Sequence, residues 1–369
     1  MNRLFRWDQM GLFLLALAAG ILPFAVPEVC AAALREGLTL CSGPLLLSLF
    51  PFLVVSRLLV QCPESDLLAL PFRLAAWGIG IRTPCAARVL CIGFLGGFAP
   101  AASAAAQAVR TGQLTAEEAD ALLPACICSG PSFVVLTVGQ SLLGSAELGV
   151  LLFAAQITAN YLTAALLNRF AGVRSVKPGS AAPASPAPPR LDEILADAAI
   201  TYCKLCGFIL FFRLLAAGAG ALLPTGAGTL CAILLEVCSG CDLASRTGRW
   251  GSLLCCAALS VQGLSVLLQV RTICPPEMTL RPLYRARMLH LPLSLALFYL
   301  LLPGGEADVF STLPVRVLLM RRVPPDCALL VFAVCCMAAC TLRSGIRQVE
   351  QKQMARNAGG CCINSKTLL

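Results

Sequence analysis

Three short stretches hold side chains that could bind a solute or an ion. "LLEVCSGCDLAS" sets Glu236 inside an apolar run, with Ser239 and Gly240 just behind it. A carboxylate in such a run is costly, and its presence points to work: holding a coupling proton or cation, or hydrogen-bonding a substrate. "CICSGPSFVVLTVG" breaks a second apolar run at Ser129, Gly130 and Pro131, with Ser132 next. "VQGLSVLLQV" breaks a third at Gln262 and Gly263, followed by Ser265 and Gln269. Non-helical backbone at membrane depth is tolerated only where protein or a watery cavity surrounds it. A single break is read most simply as a kink that improves helix packing. A matched pair reads instead as two unwound segments facing one cavity, whose half-helix N-termini offer free N–H groups and a positive dipole end to an anion. Gln156 and His290 occupy equivalent places in two further runs and are candidates for coupling or gating. His290 is the one histidine of the chain.

The elements that position these residues follow from the apolar runs. Full spans are expected near 10–27, 38–60, 121–144, 147–168, 200–223, 250–273, 287–303 and 326–342. Two Gly/Ala/Pro-rich segments, 85–108 and 225–247, are long enough to enter a membrane. Basic residues set the orientation. Arg3 and Arg6 put the N-terminus inside. Arg169, Arg174, Lys177 and Arg190 do the same for the Pro/Ala/Ser linker, and Arg271, Arg281, Arg285 and Arg287 for a 271–287 loop. Arg343, Arg347 and Lys352 put the tail inside. These agree only if 85–108 and 225–247 dip in and return as re-entrant hairpins. Arg316, Arg321 and Arg322 then fall outside.

The chain so divides into an N-terminal transmembrane helix (1–34), a first repeat (35–170), a linker (171–190), a second repeat (191–303), and a C-terminal helix with a basic tail (304–369). Each repeat reads span, hairpin, broken span, span. "SLFPFLVVSRLL" is echoed by "KLCGFILFFRLL", and the two units are inverted in the membrane. A cleaved signal peptide competes with the first span, but the run is long and the chain stays apolar behind it. The expected fold is an all-α polytopic membrane protein with about eight transmembrane helices and two re-entrant helical hairpins in an inverted repeat.

Composition removes several function classes. Hydrophobic residues make up 58% and charged residues 13%, about half the charge of a soluble domain. The net charge of +9 is spread over short loops, as the positive-inside rule requires, and leaves no basic face for nucleic acid. Most of the 21 cysteines lie in apolar stretches, where Cys behaves as a small hydrophobe. Cys203/Cys206 and Cys238/Cys241 have thiolate-metal spacing, but both pairs fall in membrane segments. No metal, cofactor or enzymatic motif is expected.

The stretches "SLFPFLVVSRLL", "GFLGGFAPAASAAAQAVRTGQLTAEEADALLPACICSGPSFVVLTVG", "LLEVCSGCDLAS", "LSVQGLSVLLQV" and "RARMLH" resemble the YlbJ-type sporulation integral membrane proteins. These belong with the nucleoside recognition (Gate) domain proteins and are similar in architecture to concentrative nucleoside transporters. The resemblance covers roughly residues 35–300. It implies alternating-access transport of a small anionic solute, with dipicolinate movement across the outer forespore membrane as the family's suggested role. It also implies a bacterial multi-pass location, with both termini cytoplasmic. Glu236, Ser239, Gly240, Gly263, Ser265, Arg287 and His290 fit the family pattern. After Phe98 the pattern's basic residue is missing, and Ile127 and Cys128 stand where polar amides are usual. The expected partners are the bilayer, the solute and a coupling proton or cation. A nucleoside as cargo, or a non-transporting scaffold for spore envelope assembly, are the alternatives.

Overall fold

A computed structural model describes residues 2–61, 66–172 and 191–302. Every regular element among them is helical. Four stretches are long and apolar enough to cross a membrane: Pro27–Leu47, Ala146–Ala171, Leu191–Leu222 and Gly248–Ile273. The architecture is that of a helical membrane protein. The linker from 173, the expected span at 326–342 and the arginines at 316, 321 and 322 lie outside the described residues.

Proline at a first helical turn costs no hydrogen bond, so it starts helices readily. Pro27 starts α2 (Pro27–Ser42) directly after α1 (Asn2–Ala25), and Pro44 starts α3 (Pro44–Gln61). Two expectations change here. Residues 27–37 are helix rather than connection, and the 38–60 span is broken at Gly43. From Leu22 onward the chain runs antiparallel to α9 (Leu191–Leu222). Leu22 packs on Gly218 and Gly37 on Leu210. Glu36 pairs with Arg213 at 2.7 Å, Tyr202 donates its hydroxyl to the Cys41 carbonyl, and Arg57 pairs with Asp197.

After a short α4 (Leu70–Gly78), which the sequence reading left unassigned, comes a helical hairpin. Its arms are α5 (Pro84–Gly96) and α6 (Phe98–Arg110). They turn at Gly97, whose φ of +80° suits glycine. The two ends of the hairpin meet: Arg88 donates to Gln113 at 3.0 Å, and Thr83 to Glu118 at 2.7 Å. Each arm has 13 residues, about 20 Å of helix. Its alanines are almost all buried, letting backbones approach closely.

A capping box between Thr115 and Glu118 starts α7 (Ala116–Cys126). The helix stops at Ile127. The chain resumes as a π-helix, Ser132–Leu142, and then α8 (Ala146–Ala171) returns antiparallel to it. Gly139 lies against Gly149. Asn160 donates to the Ile127 carbonyl at 3.3 Å, and Asn168 to those of Ile79 (2.9 Å) and Ala121 (3.1 Å).

The second half repeats this order. The arms of its hairpin are α10 (Thr225–Leu235) and α11 (Val237–Ser245), joined at extended Glu236. A broken helix follows, α12 (Gly251–Val261) and α13 (Gly263–Ile273), then α14 (Arg281–Leu301). Asp120 accepts from Thr279 N at 2.8 Å and from Leu280 N at 3.1 Å, so α14 begins at the base of the first hairpin. The second hairpin instead begins beside Gly220, at the far end of α9, where Gly228 and Leu243 approach. The two hairpins therefore enter the bundle from opposite ends.

Candidate functional site

In each half, the hairpin tip rests on the break of the broken helix. A β carbon on Gly97 would fall 2.7 Å from Gly130 N. One on Gly263, at φ +69°, would fall 3.0 Å from Glu236 N. Only glycine allows such backbone approach with a left-handed φ. The breaks are thus built against the tips, and both sets of residues converge at the middle of the bundle.

Between them lies a cavity of about 60 Å³, room for a few waters. Ser129, Gly130, Ser132 and Phe133 line it from the first break, and Leu95, Gly96 and Phe98 from the first tip. Glu236, Val237 and Cys238 line it from the second tip, and Val266 and Gln269 from α13. Leu45, Leu49 and Ile209 close the side. Among the described residues, no lysine, arginine or histidine lines it.

Glu236 is 2% exposed. Its carboxylate accepts from Cys238 N at 2.8 Å and from Ser239 N at 2.7 Å, capping α11. This changes the expected role of that helix end. Its free N–H groups and positive dipole end are met by the chain's own carboxylate, not held open for an anion. Each carboxylate oxygen keeps further lone pairs for a second donor.

Gln262 links the halves. It adopts φ +66°, donates from Nε2 to Leu259 O at 2.7 Å, and reaches Ser129 Oγ at 3.4 Å. Gln269 donates to Ser265 Oγ at 2.9 Å. The Oε1 atoms of Gln262 and Gln269 are buried and have no partner among the described residues. The centre is therefore rich in hydrogen-bond acceptors.

Of the expected binding residues, Ser129, Gly130, Ser132 and Glu236 reach the cavity wall. Gln262, Gly263 and Ser265 stand one layer behind it. Pro131 opens the π-helix, Ser239 gives its N–H to Glu236, and Gly240 packs on Ile233 within the hairpin. Gln269, Phe98 and Phe133 are cavity residues that the candidate set omitted. Gln269 stood in the sequence as a polar group in an apolar run. Phe98 was marked by the family pattern as the aromatic of the hairpin tip, and Phe133 gave no signal apart from core.

Gln156 and His290 come together away from the cavity. His290 Nε2 lies 3.2 Å from the Gln156 carbonyl, and Gln156 donates to Ser260 Oγ at 2.9 Å. Arg287 is not a loop charge as the topology reading had it. It lies in α14, 8% exposed, donating to Ile127 O and, at 3.4 Å, to Ser260 O. Its cation meets the carbonyl end of α7, where the helix dipole is negative. Among the described residues, no three His, Cys, Asp or Glu side chains gather as a metal site. No family model, curated protein or solved structure matches this chain.

Proposed function

We propose that the chain is a secondary transporter that moves a small polar solute by alternating access, without hydrolysing a nucleotide. One observation carries the reading. The first break, both hairpin tips and α13 behind the second break, drawn from units that enter from opposite ends, line a single largely apolar cavity with Glu236 and Gln269 on its wall. In membrane transporters, discontinuous helices of inverted repeats meet at the midplane to hold solute and coupling ion. In this reading both hairpins are re-entrant. Their arms of 13, 11 and 9 residues are too short for a hydrocarbon core of about 30 Å. The remaining helices then account for seven of the eight expected spans, the eighth (326–342) lying outside the described residues, with the 171–190 linker cytoplasmic.

The wall chemistry bears on the cargo. Glu236 and Gln269 are the wall residues with side-chain acceptor oxygens beside the serine hydroxyls, and among the described residues no lining side chain is cationic. A solute with N–H or O–H donors and a flat ring between Phe98 and Phe133 suits this wall, as a nucleoside would. A dianion such as dipicolinate, which the family resemblance suggests, would face the Glu236 carboxylate, with the nearby Arg213 cation already paired to Glu36. Glu236 serves as the site for a coupling proton or cation.

The test is uptake into proteoliposomes, comparing a nucleoside mixture with dipicolinate, for the parent chain, Glu236→Gln and Gln269→Leu. Nucleoside uptake that both variants reduce at least tenfold supports the reading. Dipicolinate uptake lost in Glu236→Gln keeps the transporter and overturns the cargo. Folded protein that moves neither moves the assignment to a scaffold.

A further inference from the structure

A second cavity, of about 150 Å³, opens between α3, α6, α9 and α13, beyond the central one along the same helices. The apolar layer of Leu53, Ala99 and Leu205 stands at the intervening level. This cavity has the opposite chemistry. Arg57, Arg110 and Lys204 line it, against one carboxylate, Asp197, with hydroxyls from Ser103 and Thr201.

Asp197 is already engaged. Arg57 donates to it through Nη1 and to Thr201 Oγ1 through Nη2 at 3.3 Å. Arg57 is 8% exposed, and its Nε is buried without a hydrogen-bond partner among the described residues. Arg110 and Lys204 have no acidic partner in ion-pair contact among the described residues. Two exposed cations on separate helices thus border one polar hollow beside buried Arg57, with no ion-pair partner among the described residues. A ligand that satisfies them carries more than one negative oxygen and accepts from hydroxyls as well, which is the chemistry of a phosphoryl group. Ile200, an apolar residue 55% exposed, borders the opening, where an acyl chain can lie. In the topology proposed above, this end is cytoplasmic, the leaflet that carries anionic lipid.

We propose that this cavity binds a phosphoryl group, from an anionic phospholipid head group or from free phosphate. The site is independent of what the central cavity carries.

The test uses the full chain in neutral detergent, titrated with phosphatidic acid, phosphatidylcholine or inorganic phosphate at constant ionic strength. Binding is read by native mass spectrometry and by the shift in thermal midpoint. Arg110→Gln/Lys204→Gln removes the two bordering cations, and Arg249→Gln/Arg285→Gln removes two exposed cations elsewhere. The expected result is saturable binding of phosphatidic acid over phosphatidylcholine, weakened at least tenfold in the first variant alone. Equal binding of inorganic phosphate, weakened the same way, supports the site and identifies free phosphate as sufficient. Binding that the first variant leaves unchanged, or that both variants weaken alike, overturns the proposal, as does no binding of any probe.

Discussion

Gly97 and Gly130 touch backbone to backbone. A β carbon on Gly97 would sit 2.7 Å from Gly130 N, and Gly97 holds φ at +80°. The hairpin tip and the helix break thus form one packed unit, with the cavity on its surface. Gly263 and Glu236 repeat the relationship at 3.0 Å.

Gly97→Ala should destabilise the protein by roughly 1–2 kcal/mol for the left-handed backbone, with a further cost of about 1–3 kcal/mol for overpacking. Gly207→Ala is the matched control, because nothing lies within 4 Å of its added methyl. Thermal unfolding in detergent reads both. Equal midpoints would mean that the tip and the break are not in contact.

Glu236→Ala should lower stability as well, since it strands the N–H groups of Cys238 and Ser239. The expected loss is on the order of 1–3 kcal/mol. Glu236→Gln keeps one acceptor oxygen and should lose less. A Glu236→Ala protein as stable as its parent would show that the carboxylate is not the cap of α11.

Asn160 and Arg287 donate to the same carbonyl, that of Ile127. A double-mutant cycle on Asn160→Leu and Arg287→Met should therefore be non-additive, with a coupling of about 0.5–3 kcal/mol. Additive losses would separate the two side chains.

Hairpin geometry also fixes which loops share a side. Epitope tags inserted at Gly80 and at Gly112, both exposed, should be reached from one face of the membrane, and a tag at exposed Gly144 from the other. If residues 84–110 crossed fully, the tags at Gly80 and Gly112 would lie on opposite faces.

Local punctuation made the breaks legible. Ser-Gly-Pro and Gln-Gly interrupt apolar runs, and no helix passes through them. The two helical hairpins fall in the Gly/Ala/Pro-rich segments 85–108 and 225–247 that the sequence sets apart from the full spans. Long-range partners were not legible. Residues 27–37 fell between two expected spans, but they are helix and Glu36 meets Arg213 on α9, 177 positions away. Arg287 read as one more loop cation, because its carbonyl partner lies 160 positions earlier. Glu236 read as facing a solute. Its capping role depends on the chain turning extended at that residue, which composition does not reveal.

The cross-links between halves bear on how such a chain is made. Ile127 O waits for Arg287, Asp120 for Thr279, and Gln156 for Ser260, at separations of 160, 159 and 104 residues. Until the second half is made, Asp120 and Gln156 lack these partners, whereas Ile127 O already accepts from Asn160 within the first half. A protein cut within the linker should accordingly yield two fragments, each degraded alone and each rescued by the other in the same cell.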